Sequence, residues 1–345
     1  MEQLRIGVIF WFLSLSVIGQ TTYLINDFSD VYKGKLIIDQ GYEEEVFKKG
    51  TVIILEKLSE KEVVAISSEE LTFSLNEEGE VETGVVSLPY GEQSIIISED
   101  VNFDGVKDIV VMDGQYSCYH GPSYQVYLHR EGQLIHSPSF TRLAQEYCGM
   151  FQTNNETKTI ETMTKSGCCW HQFSQFEVVN NVPVPIEVVE EEYQYLYHIT
   201  RTKTWRGGRA IEKTERRMNK EGVAIEVLMS FRLSKNQKKV LLFTSEGRLN
   251  YVLLKSEGEL VEFSFPADNL IDAGRFAIDT SKSKLIFKNK EAIYEIYEKR
   301  KQDKVMAVGI YVYVNGKKYH LSGDLSTLQG AMQGISSEKL VNVDG

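Results

Sequence analysis

Ser94-Ile-Ile-Ile-Ser98, then Asp100-Val-Asn102-Phe-Asp104-Gly105-Val106-Lys-Asp108, then Ile109-Val-Val-Met112 is the stretch on which the reading of the fold turns. The apolar runs on either side are short, β-branched and free of Pro, so each predicts a strand. Between them, oxygen-bearing side chains fall at loop positions one, three, five and nine. Gly105 stands at position six, where the chain must turn sharply, and Val106 offers its carbonyl at position seven. Calcium is a hard cation that takes roughly six to eight oxygen ligands, and a turning loop converges them where a flat strand cannot. Position twelve is Val111, not the bidentate Glu of a helix–loop–helix site, and the flanks read as strands. The expected Ca²⁺ ligands are Asp100, Asn102, Asp104, the Val106 carbonyl and Asp108, with water or Asp113 completing the shell. The competing reading is a plain acidic turn that holds no metal.

Working outward, strand follows strand. Thr51–Leu55, Glu62–Ile66 and Leu71–Leu75 precede the loop; Tyr124–Leu128, Phe173–Val179 and Ile186–Val189 follow it. Turn signals recur about every ten residues, as in antiparallel all-β domains. Ser139–Tyr147 has Phe140, Leu143 and Ala144 at helical spacing and predicts one short helix. Further β runs are Lys239–Phe243, Leu249–Leu254, Leu260–Phe265 and Val308–Val314, the last joined by Asn315-Gly316 to Lys317–Leu321. Asn-Gly supplies the two positive-φ positions of a type I′ hairpin turn. The expected fold class is all-β. An antiparallel sandwich or propeller-like domain spans 20–199, with the calcium loop between its strands. A basic connector covers 200–221, where eight Lys and Arg crowd a stretch poor in apolar residues. A second β-rich domain covers 222–345.

Of the 345 residues, 42% are apolar and 25% charged, a globular composition. The formal charge of −11 argues against nucleic acid as a partner, since a phosphate-binding surface needs a basic excess. It favours basic macromolecules instead. Residues 1–19 read as a secretory signal: a polar lead with Arg5, an apolar run from Ile6 to Ile18, and a cut after Gly19. That run is shorter than a membrane span, and no later segment is apolar for long enough, so no membrane span is expected after cleavage. The expected location is periplasmic or secreted. The four cysteines, Cys118, Cys148, Cys168 and Cys169, should then be paired. Neighbouring Cα atoms lie only ~3.8 Å apart, below the usual disulfide range, so Cys118 and Cys148 are each expected to bond one of the adjacent pair.

The loop with its following strand resembles the calcium-bearing unit of FG-GAP/VCBS-type β-propeller repeats. With Cys118-Tyr-His-Gly-Pro-Ser-Tyr124 and Ser166-Gly-Cys-Cys-Trp-His171, it resembles a family of exported bacterial proteins. That family includes periplasmic immunity proteins that inhibit lysozyme-like effectors of type IV secretion systems. The resemblance covers about residues 85 to 190. It implies a non-enzymatic binding protein, an inhibitor of a basic cell-wall hydrolase. The expected partner contacts are Tyr119, His120, Tyr124, Trp170 and His171, on two loops that a disulfide would hold together; the competing reading is that these aromatics fill the core beneath the loops. A structural or surface-adhesion module and an exported hydrolase are the alternatives. No Gly-x-Ser-x-Gly, His-Glu-x-x-His or phosphate-binding Gly loop is present. Cys168 and Cys169 near His171 invite a nucleophile reading, but exported cysteines are more often bridged. Asn155-Glu-Thr157 has the form of a glycosylation sequon.

Overall fold

The computed structural model describes residues 20–84, 86–88, 91–219, 223–256, 258–266, 274–279, 281, 283–336, 338 and 340–344. The expected signal segment, 1–19, lies outside them. The chain forms two compact units. One comprises residues up to Thr164 together with Phe173–Ile186, and the other Lys165–Gln172 together with everything from Glu187 onward. The expectation of an all-β, largely antiparallel protein with two β-rich parts is met.

In the first unit, β1 (Thr21–Ile25), β2 (Tyr32–Ile38), β3 (Lys48–Glu56) and β4 (Glu62–Leu71) form an antiparallel sheet in sequence order. Tyr32, Gly34, Leu36 and Ile38 of β2 alternate inward, the period of a strand with one face on the core. After the short pair β5 (Val86–Leu88) and β6 (Gly91–Gln93) comes a second four-stranded sheet. Its strands are β7 (Ile96–Glu99), β8 (Asp108–Ser117), β9 (Gly121–Arg130) and β10 (Gln133–His136). The helix α1 is Pro138–Glu146, close to the expected span, and its Phe140, Leu143 and Ala144 are buried. Pro138 suits the first helical turn, where its missing N–H has no partner to lose. The unit continues through β11 (Gln152–Asn154) and β12 (Thr159–Ser166) as far as Thr164, takes up β13 (Trp170–Val179) again from Phe173, and ends at Ile186, inside β14 (Val182–Gln194).

The second unit corrects the expected connector. Residues 197–218 are not a solvated link but a hairpin of two ten-residue strands, β15 (Tyr197–Arg206) and β16 (Arg209–Met218), in register throughout. Gly207 and Gly208, both at positive φ, make the two-residue turn. Opposite charges meet along the strands, Arg201 with Glu192 at 2.9 Å and Lys203 with Glu212 at 3.0 Å. The charges that argued for a connector are therefore side chains of paired strands, most of them exposed on β16. The compact unit accordingly takes in Lys165–Gln172 and everything from Glu187, rather than starting after a link at 221.

Beyond the hairpin run β17 (Glu226–Leu233), β18 (Lys239–Ser245), β19 (Arg248–Leu254), β20 (Val261–Phe265), β21 (Phe276–Asp279), β22 (Lys284–Asn289), β23 (Ala292–Lys301), β24 (Lys304–Val314), β25 (Lys317–Gly330) and β26 (Val343–Asp344). They form a ten-stranded sheet. β25 joins its halves: residues 317–322 pair with β24 and 323–330 with β17. The β24–β25 turn is the expected Asn315-Gly316, at φ 49° and 71°. An aromatic core fills this unit. Phe287 is 2% exposed and meets the rings of Phe265, Tyr294, Tyr251 and Phe276 at centroid distances of 4.4, 4.8, 5.1 and 5.4 Å.

The cysteine pairing also corrects the expectation. Cys118 bonds Cys148, and Cys168 bonds Cys169. The Gly149 N–H donates to the Ser117 hydroxyl at 3.2 Å, which holds Cys148 beside Cys118 with Cα atoms 4.9 Å apart. Cys168 and Cys169, in the turn between β12 and β13, are left with each other. The Cys118–Cys148 bridge closes a separation of 30 residues, for which loop entropy predicts a contribution of about 3.6 kcal/mol. A Cys118→Ser/Cys148→Ser protein should lose about that much stability in urea titration. A loss below ~1 kcal/mol would mean that the bridge does not constrain the unfolded chain.

Candidate metal centre

The loop hangs between two strands that pair right up to its ends, Ile96↔Val111 through Glu99↔Asp108. Residues 100–107 therefore close a fixed gap. Asp100 accepts the Asp104 N–H on Oδ1 at 3.1 Å and the Gly105 N–H on Oδ2 at 2.9 Å. Asn102 Oδ1 accepts the Asp104 N–H at 3.2 Å, and Asp104 Oδ1 accepts the Val106 N–H at 2.9 Å. Gly105 has φ +90°, a conformation that any Cβ would strain. Side chains at alternate positions thus turn inward because each caps a backbone N–H further along, as Asp and Asn do in tight turns.

Asp108 closes the loop from beneath. It is fully buried; Oδ2 accepts the Val101 N–H at 3.0 Å and Oδ1 the His129 N–H at 2.8 Å. Burial pushes its carboxyl up to about 6, the charges of Asp104 and Asp100 add to the rise, and the two backbone N–H groups oppose it.

The structure thus brings Asp100, Asn102, Asp104 and Asp108 into one hydrogen-bonded loop, with the Val106 side chain exposed beside them. It does not bring Asp113. That buried carboxylate accepts the Ser123 O–H at 2.7 Å and a Gln145 amide N–H at 2.6 Å. One neighbour escaped the sequence reading. Asn181, in the turn between β13 and β14, receives the Asn102 amide at 2.9 Å. Its signal was present in Asn180-Asn181, both at positive φ, but turn chemistry does not say what a turn touches. Among the described residues, no three His, Cys, Asp or Glu side chains are grouped to hold an ion by themselves. The loop's donors are a mixed set of carboxylates, an amide and a backbone carbonyl, all oxygen and all hard. On chemistry this set fits calcium better than a softer metal.

The expected partner contacts fare unevenly. Tyr119 is 58% exposed and His120 is exposed, both in a left-handed turn directly after β8. Tyr124 is a correction: it is fully buried in β9, opposite Met112, and its hydroxyl receives the Ser94 N–H at 3.4 Å. β9 runs between β8 and β10, and Tyr124 lies on it among the buried Pro122, Ser123 and Val126. Trp170 and His171 are half-buried and belong to the second unit. No disulfide links them to the Cys118 turn, so the single docking edge expected from that bridge is not formed by it.

No model of a known protein family matches this chain, and no curated protein matches it. Solved structures do. One is a type IV secretion system related protein from Xanthomonas, at 20% identity and TM-score 0.43, covering 56% of this chain and 93% of that one. TolB from Acinetobacter baumannii aligns at 10% identity and TM-score 0.20, over 89% of this chain and 66% of its own. The β-propeller domain of the Trilobed protease from Pyrococcus furiosus aligns at 11% identity and TM-score 0.18, over 87% and 97%. At these scores the likenesses assign no activity. The Cys118–Cys148 bridge fits a chain that matures in an oxidising compartment. No described helix is long and apolar enough to cross a membrane.

Proposed function

We infer that this is an exported protein whose Asp100–Asp108 loop holds one Ca²⁺, and that it acts by binding, as an inhibitor of a basic cell-wall hydrolase. One observation carries the metal. Three carboxylates share a short loop, one is fully buried, and only backbone amides offset the rise that burial and its two neighbours impose on it. A divalent cation relieves that repulsion and uses oxygen lone pairs the N–H groups leave over. The ion would be held by Asp100, Asn102, Asp104, Asp108 and the Val106 carbonyl, and would brace the loop. The hydrolase reading draws support from the net charge of −11, which speeds encounter with a basic enzyme. It also draws on the family resemblance of the Cys118–Tyr124 and Ser166–His171 segments.

Two measurements test this. Calcium that binds only the folded state should raise stability by about 3 kcal/mol at a hundredfold excess over Kd. Melting should rise with calcium and fall with chelator, and Asp104→Ala should abolish the response. An Asp104→Ala protein that responds like the parent sinks the metal assignment. Separately, the protein should slow lysis of a cell-wall suspension by a basic muramidase, and Tyr119→Ala should weaken that inhibition at unchanged melting temperature. Calcium binding without inhibition would leave a structural module. Lysis by the protein alone would make it a hydrolase.

A further inference from the structure

The first unit carries a second polar feature, away from the loop: a groove of about 620 Å³ between β3–β4 and β8–β9. Its volume falls in the range of small-molecule sites. Along one side, Thr51 Oγ1 and Ser67 Oγ stand 3.0 Å apart on cross-strand partners. Beside them Lys49 Nζ meets Glu69 Oε1 at 2.7 Å, and Asp39 continues the lining.

The opposite wall is held still. Asp113 is over nine-tenths buried, and each of its oxygens already takes one hydrogen bond, from Ser123 and from Gln145. The second lone pair of each oxygen is unclaimed by these bonds. Gln125 accepts the Tyr127 O–H on its carbonyl at 2.9 Å, so its amide nitrogen is the end left to donate. At the mouth, Tyr116 is 54% exposed. Its ring lies across Gly114, where an added Cβ would come within 2.3 Å of it. The ring is therefore a flat shelf set by a residue without a side chain, and Gly114 at φ +153° belongs to a conformation that other residues rarely adopt.

An aromatic shelf beside fixed carboxylates, hydroxyls and an amide is a surface for a ligand with one apolar face and many hydroxyls. A pyranose ring has that shape. Three carboxylates against one ammonium rule against acidic sugars and phosphates. The scarcity of apolar lining rules against a lipid. We propose that this groove binds a neutral or amino-bearing pyranose unit of a glycan, stacked on Tyr116 and hydrogen-bonded by Asp113, Gln125, Thr51 and Ser67. Preorganised partners lose little entropy on binding, so weak single contacts add usefully. The site is independent of the metal loop and of the inhibitor reading.

NMR titration of the isotope-labelled protein with methyl glucoside, D-glucosamine and D-glucuronate tests it. The first two should shift resonances of Tyr116 and Gln125 at millimolar concentration, and glucuronate should not. Tyr116→Ala should weaken binding about tenfold, the scale of a lost aromatic contact, while Tyr116→Phe retains it. Thr51→Val, at an accessible strand position, should weaken binding without changing the melting temperature. Chelator should leave the titration unchanged. Absence of any sugar-dependent shift, binding indifferent to both Tyr116→Ala and Thr51→Val, or glucuronate binding as tightly as glucosamine would each overturn the assignment.

Discussion

Asp108→Ala is expected to destabilise the first unit by about 4 kcal/mol, because it orphans two buried backbone N–H groups at ~1–3 kcal/mol each. Those groups are Val101, inside the loop, and His129, on the neighbouring strand. Asp108→Asn keeps one acceptor and turns an amide N–H₂ toward the other donor, so it should cost about half as much. The charge adds a pH dependence. In calcium-free buffer the folded carboxyl titrates at about 6, above its unfolded value of 3.8. A raised carboxyl favours the protonated fold. This contribution is therefore complete below the unfolded pKa and is lost as pH rises through about 6. Calcium competes with that proton, so the decline between pH 4 and pH 7 should flatten when calcium is added. Urea titrations at both pH values, with calcium and with chelator, measure this. A decline of equal depth in Asp108→Asn and parent would mean that some other group causes it.

Phe287→Ala should cost the second unit a similar amount, about 4 kcal/mol. The ring is 2% exposed and is surrounded by Tyr251, Phe263, Phe265, Phe276 and Tyr294. Removing it leaves a void bounded by rigid rings, which relax inward less readily than aliphatic chains. The loss should therefore sit at the upper part of the usual range. Phe287→Leu refills most of the space and should cost about 1.5 kcal/mol. Near-UV circular dichroism of the aromatic cluster, followed through a denaturant titration, reads this unit directly. A loss under ~1 kcal/mol for Phe287→Ala would show that the cluster is loosely packed.

The strands and the loop were legible because their signals are local. Alternation and β-branching marked β3, β7, β8 and β24, Asn315-Gly316 marked its turn, and fixed spacing marked the eight-residue excursion from Asp100. What was missed depends on neighbours remote in sequence. Tyr124 looks like a surface aromatic until β9 is placed between β8 and β10. The charged run at 200–217 looks like a link until each strand finds its partner and opposite charges face one another. The disulfides were mispaired because spacing says nothing of the Ser117–Gly149 contact that sets Cys148 in place. The groove was invisible for the same reason. Asp39, Thr51, Ser67, Asp113 and Gln125 belong to no motif, and only sheet packing assembles them.

The hairpin of β15 and β16 has one more consequence. β16 ends its sheet's order, and apart from an isolated bridge from Arg217 to Leu260 no strand among the described residues pairs its outer row of amides and carbonyls. Such a row templates the growth of fibres when its side chains are apolar and flat. Here the row carries Arg209, Glu212, Lys213, Glu215, Arg216 and Arg217, and most of the strand is exposed. An incoming strand would have to strip water from charges of both signs. The charge run thus disfavours polymerisation at this edge.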